Sequence, residues 1–526
     1  MRMIVLTFLL VTSCMAEVLR VPGEFATIQA ALDSLTEGDT VLVSAGTYEE
    51  TLIAPPLPFF LMGEAIADTG FSPQTVIDPT HLPGSDSLCC LILPAGSQAV
   101  IENLRFRNGP AMFPRQEFGG GVVNYSDEVT IRHCVFDSTH MGLWNASEEW
   151  GGTVTLQHCH FLKNPDGCVL VSRCHLKASN CLFSGRGFKL VACGDSSHFS
   201  GCHFRNNDRG YLLTTFGPAI EIENCIFGPY GPWAFPVVHS GGRGTRVHHN
   251  LFTDCQIGAC VLRIHNLCEG DTTLVYNNEF RNNRLVMGQG ITGISVSCDT
   301  TLHPMPFTAF IHDNVFQDCE STWGTKCVGL FAGAELRGNR FIRIEPPEYQ
   351  TVSWWREVEP TLRDNIFLQT HYALARADQF VFTMADARFN YWGHATGPYH
   401  PTLNPDGLGD AVGDYVLFEP WYPDTSFLQS AEPRRALPER FSLTAYPNPF
   451  NSVVKLRFEA AEIGVYEIEL FNLLGRNMGN LWKGPVGDVV EVNYRADALP
   501  SGVYFARVRN VIFNRPVAMT KLILTK

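Results

Sequence analysis

The residues best suited to chemistry lie in a basic, histidine-containing segment near the middle of the chain. This segment contains His239, Arg243, Arg246, His248 and His249. An arginine base and imidazoles facing one groove would suit proton abstraction from a substrate. His248 and His249 directly precede a predicted bend, so we expect both side chains to point to solvent. The sequence therefore assigns no catalytic residue.

Two further patterns could hold a metal ion. His133, His158 and His249 recur at one position of a repeat, but other residue types interrupt that column, which favours an exposed polar column. Oxygen-bearing side chains at calcium-like spacing are Asn404, Asp406, Asp410 and Asp414. Turns rich in Gly and Asp explain this second pattern without a metal. We therefore expect no cofactor, with calcium as the alternative.

Tryptophans outside the repeat are a better indication of function. They lie in segments between predicted strands, and the inserts of a solenoid gather on one face. An exposed indole ring can stack on a sugar ring, although several of these rings could instead fill loop cores. The candidate carbohydrate-binding residues are Trp144, Trp150, Trp233, Trp354 and Trp355.

A six-residue phrase that ends in an aromatic residue recurs along the chain, as in residues 131–136 (Ile-Arg-His-Cys-Val-Phe). Apolar residues seven and five positions before the aromatic alternate with polar ones, which indicates a strand. The next inward position follows after a step of three, so a tight bend must intervene. The terminal aromatics recur every 21 to 36 residues, at Phe106, Phe136, Phe161, Phe183, Phe204, Phe227, Phe252, Phe280, Phe316, Phe341, Phe367 and Trp392. Strand, bend and strand in each period predict an all-β fold, a right-handed parallel β-helix, with the aromatics in one buried stack.

The residue two before each terminal aromatic, which we name the ladder position, changes type along the chain. It is cysteine at Cys134, Cys159, Cys181, Cys202 and Cys225, then asparagine at Asn250, Asn278, Asn314, Asn339, Asn365 and Asn390. Asparagine tolerates left-handed backbone geometry at a bend, and aligned carboxamides can bond from coil to coil. We therefore predict an asparagine ladder. For the cysteines, a stack of buried free thiols is favoured over disulfides.

Composition and charge restrict the possible partners and the compartment. The 526-residue chain has a formal net charge of −14 and no basic cluster longer than Arg434-Arg435, which argues against nucleic acid as a partner. Residues 1–16 form a predicted signal peptide, and no other stretch is apolar enough to span a membrane. Residues 11–14 also fit a lipoprotein box, in which Cys14 would be lipidated instead of removed. We expect a secreted or cell-surface protein that is a monomer.

The two ends of the repeat region resemble a known family. Residues 21–32 (Val-Pro-Gly-Glu-Phe-Ala-Thr-Ile-Gln-Ala-Ala-Leu) with residues 38–48 resemble the N-terminal opening of pectin-lyase-like β-helix proteins, and residues 390–398 (Asn-Tyr-Trp-Gly-His-Ala-Thr-Gly-Pro) resemble their closing motif. A helix within 25–35 would close the open end of the solenoid. The resemblance covers about residues 18 to 423 and implies the fold. It says little of activity, because the motifs of polygalacturonase-like hydrolases, pectin methylesterase-like enzymes and pectate lyases are missing.

The last part of the chain resembles a different family. Residues 446–451 (Tyr-Pro-Asn-Pro-Phe-Asn), 499–504 (Leu-Pro-Ser-Gly-Val-Tyr) and 519–526 (Met-Thr-Lys-Leu-Ile-Leu-Thr-Lys) resemble the motifs of the type IX secretion (Por) sorting domain, in order. That resemblance implies recognition by the type IX secretion machinery. Five predicted strands, covering 453–458, 465–472, 489–494, 502–508 and 517–524, favour a small immunoglobulin-like β-sandwich. An ordinary immunoglobulin-like module is the alternative.

These observations give one order of domains and three possible functions. We expect a signal peptide at 1–16, the β-helix at 17–423, a linker at 424–440 and the sorting domain at 441–526. The favoured function is recognition of an extracellular polysaccharide without a demonstrable reaction. A divergent polysaccharide lyase or glycoside hydrolase, and a structural surface spacer or adhesin, are the alternatives.

Overall fold

The computed structural model describes residues 16–526, with gaps at 65–72, 83–88, 110–119, 147–150, 172–173, 186–188, 194–195, 207–209, 234–235, 242–243, 267–271, 287–290, 299–307, 322–326, 346–347, 349, 356–357, 378–382, 431–440, 461–463, 474, 487–488, 497–498 and 511–514. The signal peptide prediction lies almost wholly outside these residues. The chain divides into two compact units, Met1–Thr214 and Thr215–Lys526. Two short helices occur among the described residues, Ile28–Leu32 and Phe427–Ser430.

Each coil of the repeat region contributes strands to three parallel sheets, here named faces A, B and C in the order in which the chain meets them. One coil, for example, consists of Glu128–Arg132 on face A, Val135–Asp137 on face B and Met141–Asn145 on face C. The aromatic residues of the recurring phrase lie in register on adjacent coils, as with Phe136 and Phe161. The predicted parallel β-helix is therefore present.

The strands of the first unit follow in the order of their hydrogen-bonded neighbours. Face A consists of Val18–Val21, Thr40–Val43, Pro58–Gly63, Gln98–Glu102, Glu128–Arg132, Thr153–Gln157, His175–Ser179 and His198–Ser200. Face B consists of Gly46–Tyr48, Thr75–Ile77, Arg105–Arg107, Val135–Asp137, His160–Asn164, Leu182–Gly185 and His203–Arg205. Face C consists of Leu52–Ile53, Leu91–Leu93, Gly120–Asn124, Met141–Asn145, Gly167–Val171, Lys189–Cys193 and Tyr211–Phe216.

The second unit repeats the three faces and adds a short fourth sheet. Face A consists of Glu221–Glu223, Arg246–His248, Thr272–Tyr276, Thr308–His312, Ala334–Arg337, Thr361–Arg363, Ala385–Asp386 and Val416–Leu417. Face B consists of Ile226–Phe227, Leu251–Thr253, Glu279–Arg281, Val315–Gln317, Arg340–Ile342 and Ile366–Leu368. Face C consists of Val238–Gly241, Cys260–Asn266, Ile291–Cys298, Val328–Leu330, Val352–Trp354, Tyr372–Arg376 and Ala411–Val412. The fourth sheet consists of Tyr230–Trp233, Cys255–Ile257, Arg284–Leu285 and Glu320–Ser321.

The predicted helix at the N-terminal end is present but shorter than expected, at Ile28–Leu32. Thr27 caps it by accepting a hydrogen bond from the amide of Ala30. The Glu50 carboxylate accepts from the amides of Ile28 and Gln29 at 3.0 and 2.9 Å. Ile28, Ala31 and Leu32 are fully buried, so the helix covers apolar side chains at the start of the solenoid.

Two tight bends flank face B in most coils, and each contains one residue in the left-handed region. At the first bend this residue precedes the ladder position, as at His158 (φ 51°) and Asp313 (φ 58°). At the second bend it lies two residues after the aromatic, as at Lys163 (φ 56°) and Gln369 (φ 56°). The sequence led us to expect left-handed geometry at the ladder asparagines themselves, and this is wrong: the residue before each of them adopts it. The left-handed residue turns the chain so that the next side chain points inward.

The aromatic column forms as predicted within each unit. Adjacent ring centroids lie 4.5 to 5.2 Å apart from Phe106 to Phe204, and 4.7 to 4.9 Å apart from Phe227 to Trp392. All of these side chains are buried. Offset stacking at this separation suits the ring quadrupoles and places one ring in each coil.

The ladder asparagines of the second unit form the predicted ladder, with each amide bonded to the next. The Asn278 side-chain nitrogen donates to Asn314 Oδ1 at 2.9 Å, and the same oxygen accepts from the Asn278 backbone amide at 3.0 Å. The Asn314 nitrogen in turn donates to Asn339 Oδ1 and to the Val275 carbonyl. Each buried carboxamide therefore has partners for both its nitrogen and its oxygen.

The C-terminal part forms a small antiparallel β-sandwich with two more strands than predicted. One sheet has the order Ser442–Tyr446, Val453–Glu459, Val489–Arg495. The other has the order Asn477–Val486, Gly464–Asn472, Gly502–Asn510, Arg515–Leu524. The inward side chains of both sheets, among them Phe458, Tyr466 and Leu522, form one buried core. The extra strands begin at Ser442 and Asn477, where apolar alternation is weak in the sequence.

Candidate ligand-binding face

Face C of the second unit presents two rows of outward side chains. Alternation along each strand sets these rows, since Leu262 and Ile264 point into the core and are fully buried while Arg263 between them is only partly buried. The first row, from coil to coil, is His239, Arg263, Ser295, Gly329, Ser353 and Ala375, of which His239 and Arg263 are partly exposed and the other four are buried. The second row includes His265 and Ser297, which are in register, followed by Phe331 and Trp355.

Phe331 and Trp355 form a stacked aromatic pair at one end of these rows. Their ring centroids lie 4.1 Å apart with an angle of 11° between the planes, and both side chains are partly exposed. The Trp355 ring reaches across Gly329, where an added Cβ would lie 3.2 Å from Trp355 Cζ3 and 2.2 Å from Ile291 Cδ1. The missing side chain at Gly329 therefore leaves room for the Trp355 ring and the Ile291 side chain.

The other end of the rows carries nitrogen-bearing side chains. His265 Nδ1 lies 3.1 Å from Ser297 Oγ, and the His239 and His265 rings meet edge to face at 5.8 Å. Arg263 Nε is buried without a hydrogen-bond partner. No ion pair or hydrogen bond of the Arg263 guanidinium exists among the described residues. Arg263 Nε is therefore a donor that the described part of the protein does not use.

Acidic residues are missing from the strands of face C. The chain contains 53 Asp and Glu residues, yet none lies in any of the fourteen strands of this sheet. The strands of face A, in contrast, contain six of them. The local net charge of the face C strands is therefore more positive than the net charge of −14 of the whole chain would suggest.

The predicted carbohydrate-binding tryptophans lie in different places in the structure. Trp355 belongs to the aromatic pair. Trp144 is half-buried on face C of the first unit, in register with Val123 and Leu170, and its ring meets Tyr125 edge to face at 6.4 Å.

Of the three other candidates, only Trp354 has a side chain among the described ones. Trp354 is fully buried and points into the core, because it is in register with the inward residue Leu330. The expectation of an exposed ring is wrong there. Trp150 lies outside the described residues, and Trp233 ends the strand Tyr230–Trp233.

The histidine-rich segment that could have formed one groove is split between two faces. His239 lies on face C, whereas His248 and His249 lie at the end of face A, with their Nδ1 atoms 2.9 Å apart. The prediction that both point to solvent holds for His249 and is wrong for His248, which stacks on Tyr276 at 4.7 Å and is 7% exposed. Burial, then the neighbouring His248, lowers the pKa of His249. Arg243 lies outside the described residues.

The residues considered for metal binding have other partners. His133 and His158 stack at 5.1 Å with nearly parallel rings. Asp410 accepts from the amides of Thr370 and His371 at 2.9 and 3.0 Å. Asn404 donates to two carbonyls, Asp414 lies 3.3 Å from His400 Nε2, and Asp406 is exposed. Across the described ranges no group of three or more His, Cys, Asp and Glu side chains is arranged to hold a metal ion.

Sequence reasoning missed Arg263, His265 and Phe331. The recurring phrase covers only faces A and B, so the strands of face C carry no common motif from which to align them. A usable signal exists in residues 261–265, Val-Leu-Arg-Ile-His, where apolar and nitrogen-bearing residues alternate. Such alternation places the nitrogen-bearing side chains on one face of a strand.

The three motifs of the C-terminal sandwich come together in the structure. The Asn448 side chain donates to the Lys521 carbonyl at 2.6 Å and accepts from the Ile523 amide at 2.8 Å, which joins the first motif to the last strand. The Tyr504 hydroxyl donates to the Pro500 carbonyl at 2.9 Å within the second motif. The motif residues therefore fix the turn and edge geometry of the sandwich.

Comparison with known families agrees with both parts of the chain. Residues 85–227 match the family model described as the right handed beta helix region, and residues 444–524 match the secretion system C-terminal sorting domain. These matches assign a right-handed β-helix region and a type IX sorting domain to this chain. The sorting domain indicates export to the cell surface or the medium. No helix among the residues that the structure describes has the length and apolar character to cross a membrane.

Similarity to other proteins is otherwise low. No curated protein sequence matches the chain. Among solved structures, the catalytic domain of a GH87 α-1,3-glucanase variant in complex with tetrasaccharides has a TM-score of 0.37 at 9% identity, over 64% of this chain and 68% of that one. A tailspike protein mutant of E. coli bacteriophage HK620 in complex with a pentasaccharide has a TM-score of 0.30 at 11% identity, over 94% of this chain and 89% of that one.

Proposed function

We propose that this exported protein binds an extracellular polysaccharide along face C of its second unit. The observation that carries the proposal is the partly exposed Phe331 and Trp355 pair over the side-chain-free Gly329. Partly exposed aromatic rings beside polar side chains are a common arrangement in ligand sites, because the rings pack on apolar C–H groups while the polar groups orient the ligand. Ser297 and His265 lie in the same row and supply such polar groups.

The proposal is tested by measuring the binding of the purified protein to a panel of polysaccharides by affinity electrophoresis. Trp355→Ala should weaken binding to the best polysaccharide at least about tenfold, or about 1.4 kcal/mol. Tyr399→Ala is the matched control, since Tyr399 is an exposed aromatic residue near the end of the solenoid. Equal loss in both variants, or no binding by the natural chain, would contradict the proposal and favour a structural spacer.

Cleavage of the bound polysaccharide is measured in the same samples. New reducing ends would identify a hydrolase, and an unsaturated uronate product would identify a lyase. We expect neither, because no carboxylate lies in the strands of face C to act as a general acid or base. Either product, lost in Trp355→Ala, would replace binding with catalysis as the function of this face.

We also propose that residues 441–526 act as a detachable export address, separated by the linker at 424–440 from the solenoid at 17–423. Their own buried core and the absence of cysteine after Cys327 agree with an independent module. Deleting 441–526 should leave the β-helix folded and trap it in the periplasm of a host with type IX secretion. Normal arrival of the truncated chain in the medium would contradict this assignment.

A further inference from the structure

We infer that Arg263, with His239 and His265 beside it, forms an anion subsite on face C of the second unit. The polysaccharide it binds would then carry carboxylate or sulfate groups. This inference rests on the proposed function, and it adds the chemical class of the ligand and the place where the charge of the ligand binds.

The Arg263 side chain lacks a polar partner in the described part of the protein. Its Nε is buried and has no hydrogen-bond partner, and the guanidinium has no ion pair among the described residues. Several other arginines of the solenoid have ion pairs, as Arg343 has with Asp318 at 2.6 Å and Arg107 has with Asp78 at 2.8 Å, although Arg205 on face B also has a buried Nε without a partner. A partly buried guanidinium without a counter-ion has lost part of its hydration, and an anion bound at its accessible N–H groups would compensate its charge.

The electrostatic surroundings of Arg263 also favour an anion. Its neighbours in register are His239 and Ser295, neither of which can carry a negative charge at neutral pH. No acidic residue lies in any strand of this sheet. The described face therefore offers the guanidinium no carboxylate, so an anionic ligand meets no competing ion pair there.

Arg263 lies on the same face as the aromatic pair. Arg263 is in register with Ser295, and Ser295 is in register with Gly329, over which the Trp355 ring lies. Two coil steps of about 4.8 Å separate the strand of Arg263 from the strand that precedes Phe331. A single polysaccharide running across the strands can therefore contact the cation and the aromatic pair together.

The experiment compares the binding of purified full-length protein to polygalacturonate, a carrageenan and dextran, which supply carboxylate, sulfate and no charge. Arg263→Gln should weaken binding to the preferred anionic polymer at least about tenfold and leave any dextran binding unchanged. The matched control is Arg340→Gln, because Arg340 is an exposed arginine on face B. The preferred polymer identifies the anion as carboxylate or sulfate, and thermal melting confirms that each variant is folded.

A second measurement separates the failure of this inference from the failure of the proposed function. Melting temperatures are recorded with galacturonate and with inorganic sulfate, for the natural chain and for Arg263→Gln. Stabilisation of the natural chain alone would support the anion subsite even if no polymer bound. Dextran binding that is lost in Trp355→Ala and unchanged in Arg263→Gln would overturn the anion subsite and keep the proposed function. No response to any polymer or small anion would overturn both.

Discussion

The ladder position differs in chemistry between the two units while its place in the coil is the same. In the first unit it holds Cys134, Cys159, Cys181 and Cys202, and in the second it holds Cys225 followed by asparagines. All are buried. In both units the residue lies just after a left-handed bend and two before a stacked aromatic ring. The coil geometry therefore does not depend on the carboxamide.

Both residue types use the same backbone acceptor. The Cys159 thiol donates to the Ile131 carbonyl of the preceding coil at 3.3 Å, and the Asn314 amide donates to the equivalent Val275 carbonyl at 2.9 Å. The Cys159 backbone amide faces the Cys181 sulfur at 3.4 Å, in the place where an asparagine oxygen accepts in the second unit. A thiol thus performs both hydrogen-bonding roles, but weakly. We conclude that the asparagine column is held mainly by hydrogen bonds and the cysteine column mainly by burial.

The largest expected effect follows from this difference. Asn314→Ala removes the acceptor for two donors of Asn278 and the donor to the Val275 carbonyl. At about 1–3 kcal/mol for each buried group left unsatisfied, we expect the free energy of unfolding to fall by about 5 kcal/mol. Urea denaturation followed by intrinsic fluorescence measures it.

Cys159→Ala is the matched change in the first unit. It removes one weak hydrogen bond and a small buried volume, so we expect a loss of about 1–2 kcal/mol. Similar losses at Asn314 and Cys159 would refute the distinction between the two columns.

The aromatic column should show no such difference. Phe161 and Phe316 are both fully buried, with stacked neighbours at 4.5 and 5.2 Å and at 4.7 and 4.9 Å. Phe161→Ala and Phe316→Ala should each cost about 4 kcal/mol. Denaturation midpoints of the two variants measure these losses. A clear difference between the two losses would mean that the units differ in general packing and not only at the ladder position.

Sequence reasoning predicted the repeat, the aromatic column and the asparagine ladder because these features recur at one position in each coil. It misplaced the left-handed residue by one position. Asparagine occurs both at the ladder position and at the position before it, and the sequence does not tell which of the two adopts positive φ. It missed the second bend, where residues as different as Lys163 and Gln369 adopt the same φ. Backbone geometry there is imposed by the stacked coils and not by residue type.

The candidate site was harder to predict, for a physical reason. Whether a tryptophan on a strand points inward depends on a register that a shift of one residue reverses, so the adjacent Trp354 and Trp355 could not be told apart. Arg263 becomes a candidate only once the structure shows that it has no ion pair among the described residues. Pairing across coils depends on residues more than twenty positions away, which no local pattern contains.

At alkaline pH the thiols of the cysteine column should make folding less favourable, whereas the asparagine column has no group that titrates. Burial, followed by the neighbouring thiols of Cys159 and Cys202, raises the pKa of Cys181 well above its usual value. A raised folded-state pKa gives stability that is complete below the unfolded pKa of about 8.5 and is lost as pH rises above it. Each such thiol should lower the free energy of unfolding by about 1.4 kcal/mol per pH unit in that range.

Urea denaturation at several pH values above 9 measures this slope. Cys181→Ala should reduce it by one proton equivalent, whereas Asn314→Ala, which removes no titratable group, should leave it unchanged. An identical slope in Cys181→Ala and the natural chain would show that Cys181 ionises in the folded state.

The smallest expected effect concerns the second bend, where the units should again agree. Lys163 and Gln369 each hold a φ of 56°, and both side chains are exposed. A left-handed residue other than glycine costs about 1–2 kcal/mol, and glycine would relieve this cost while adding about 0.4–1 kcal/mol of unfolded-state entropy. Lys163→Gly and Gln369→Gly should therefore each stabilise the protein by about 0.5 kcal/mol. Valine at either position should destabilise it, because a β-branched side chain crowds this conformation. Opposite signs for the two glycine variants would mean that the bend is strained in one unit only, and the shared coil geometry on which the comparison of the ladders depends would no longer hold.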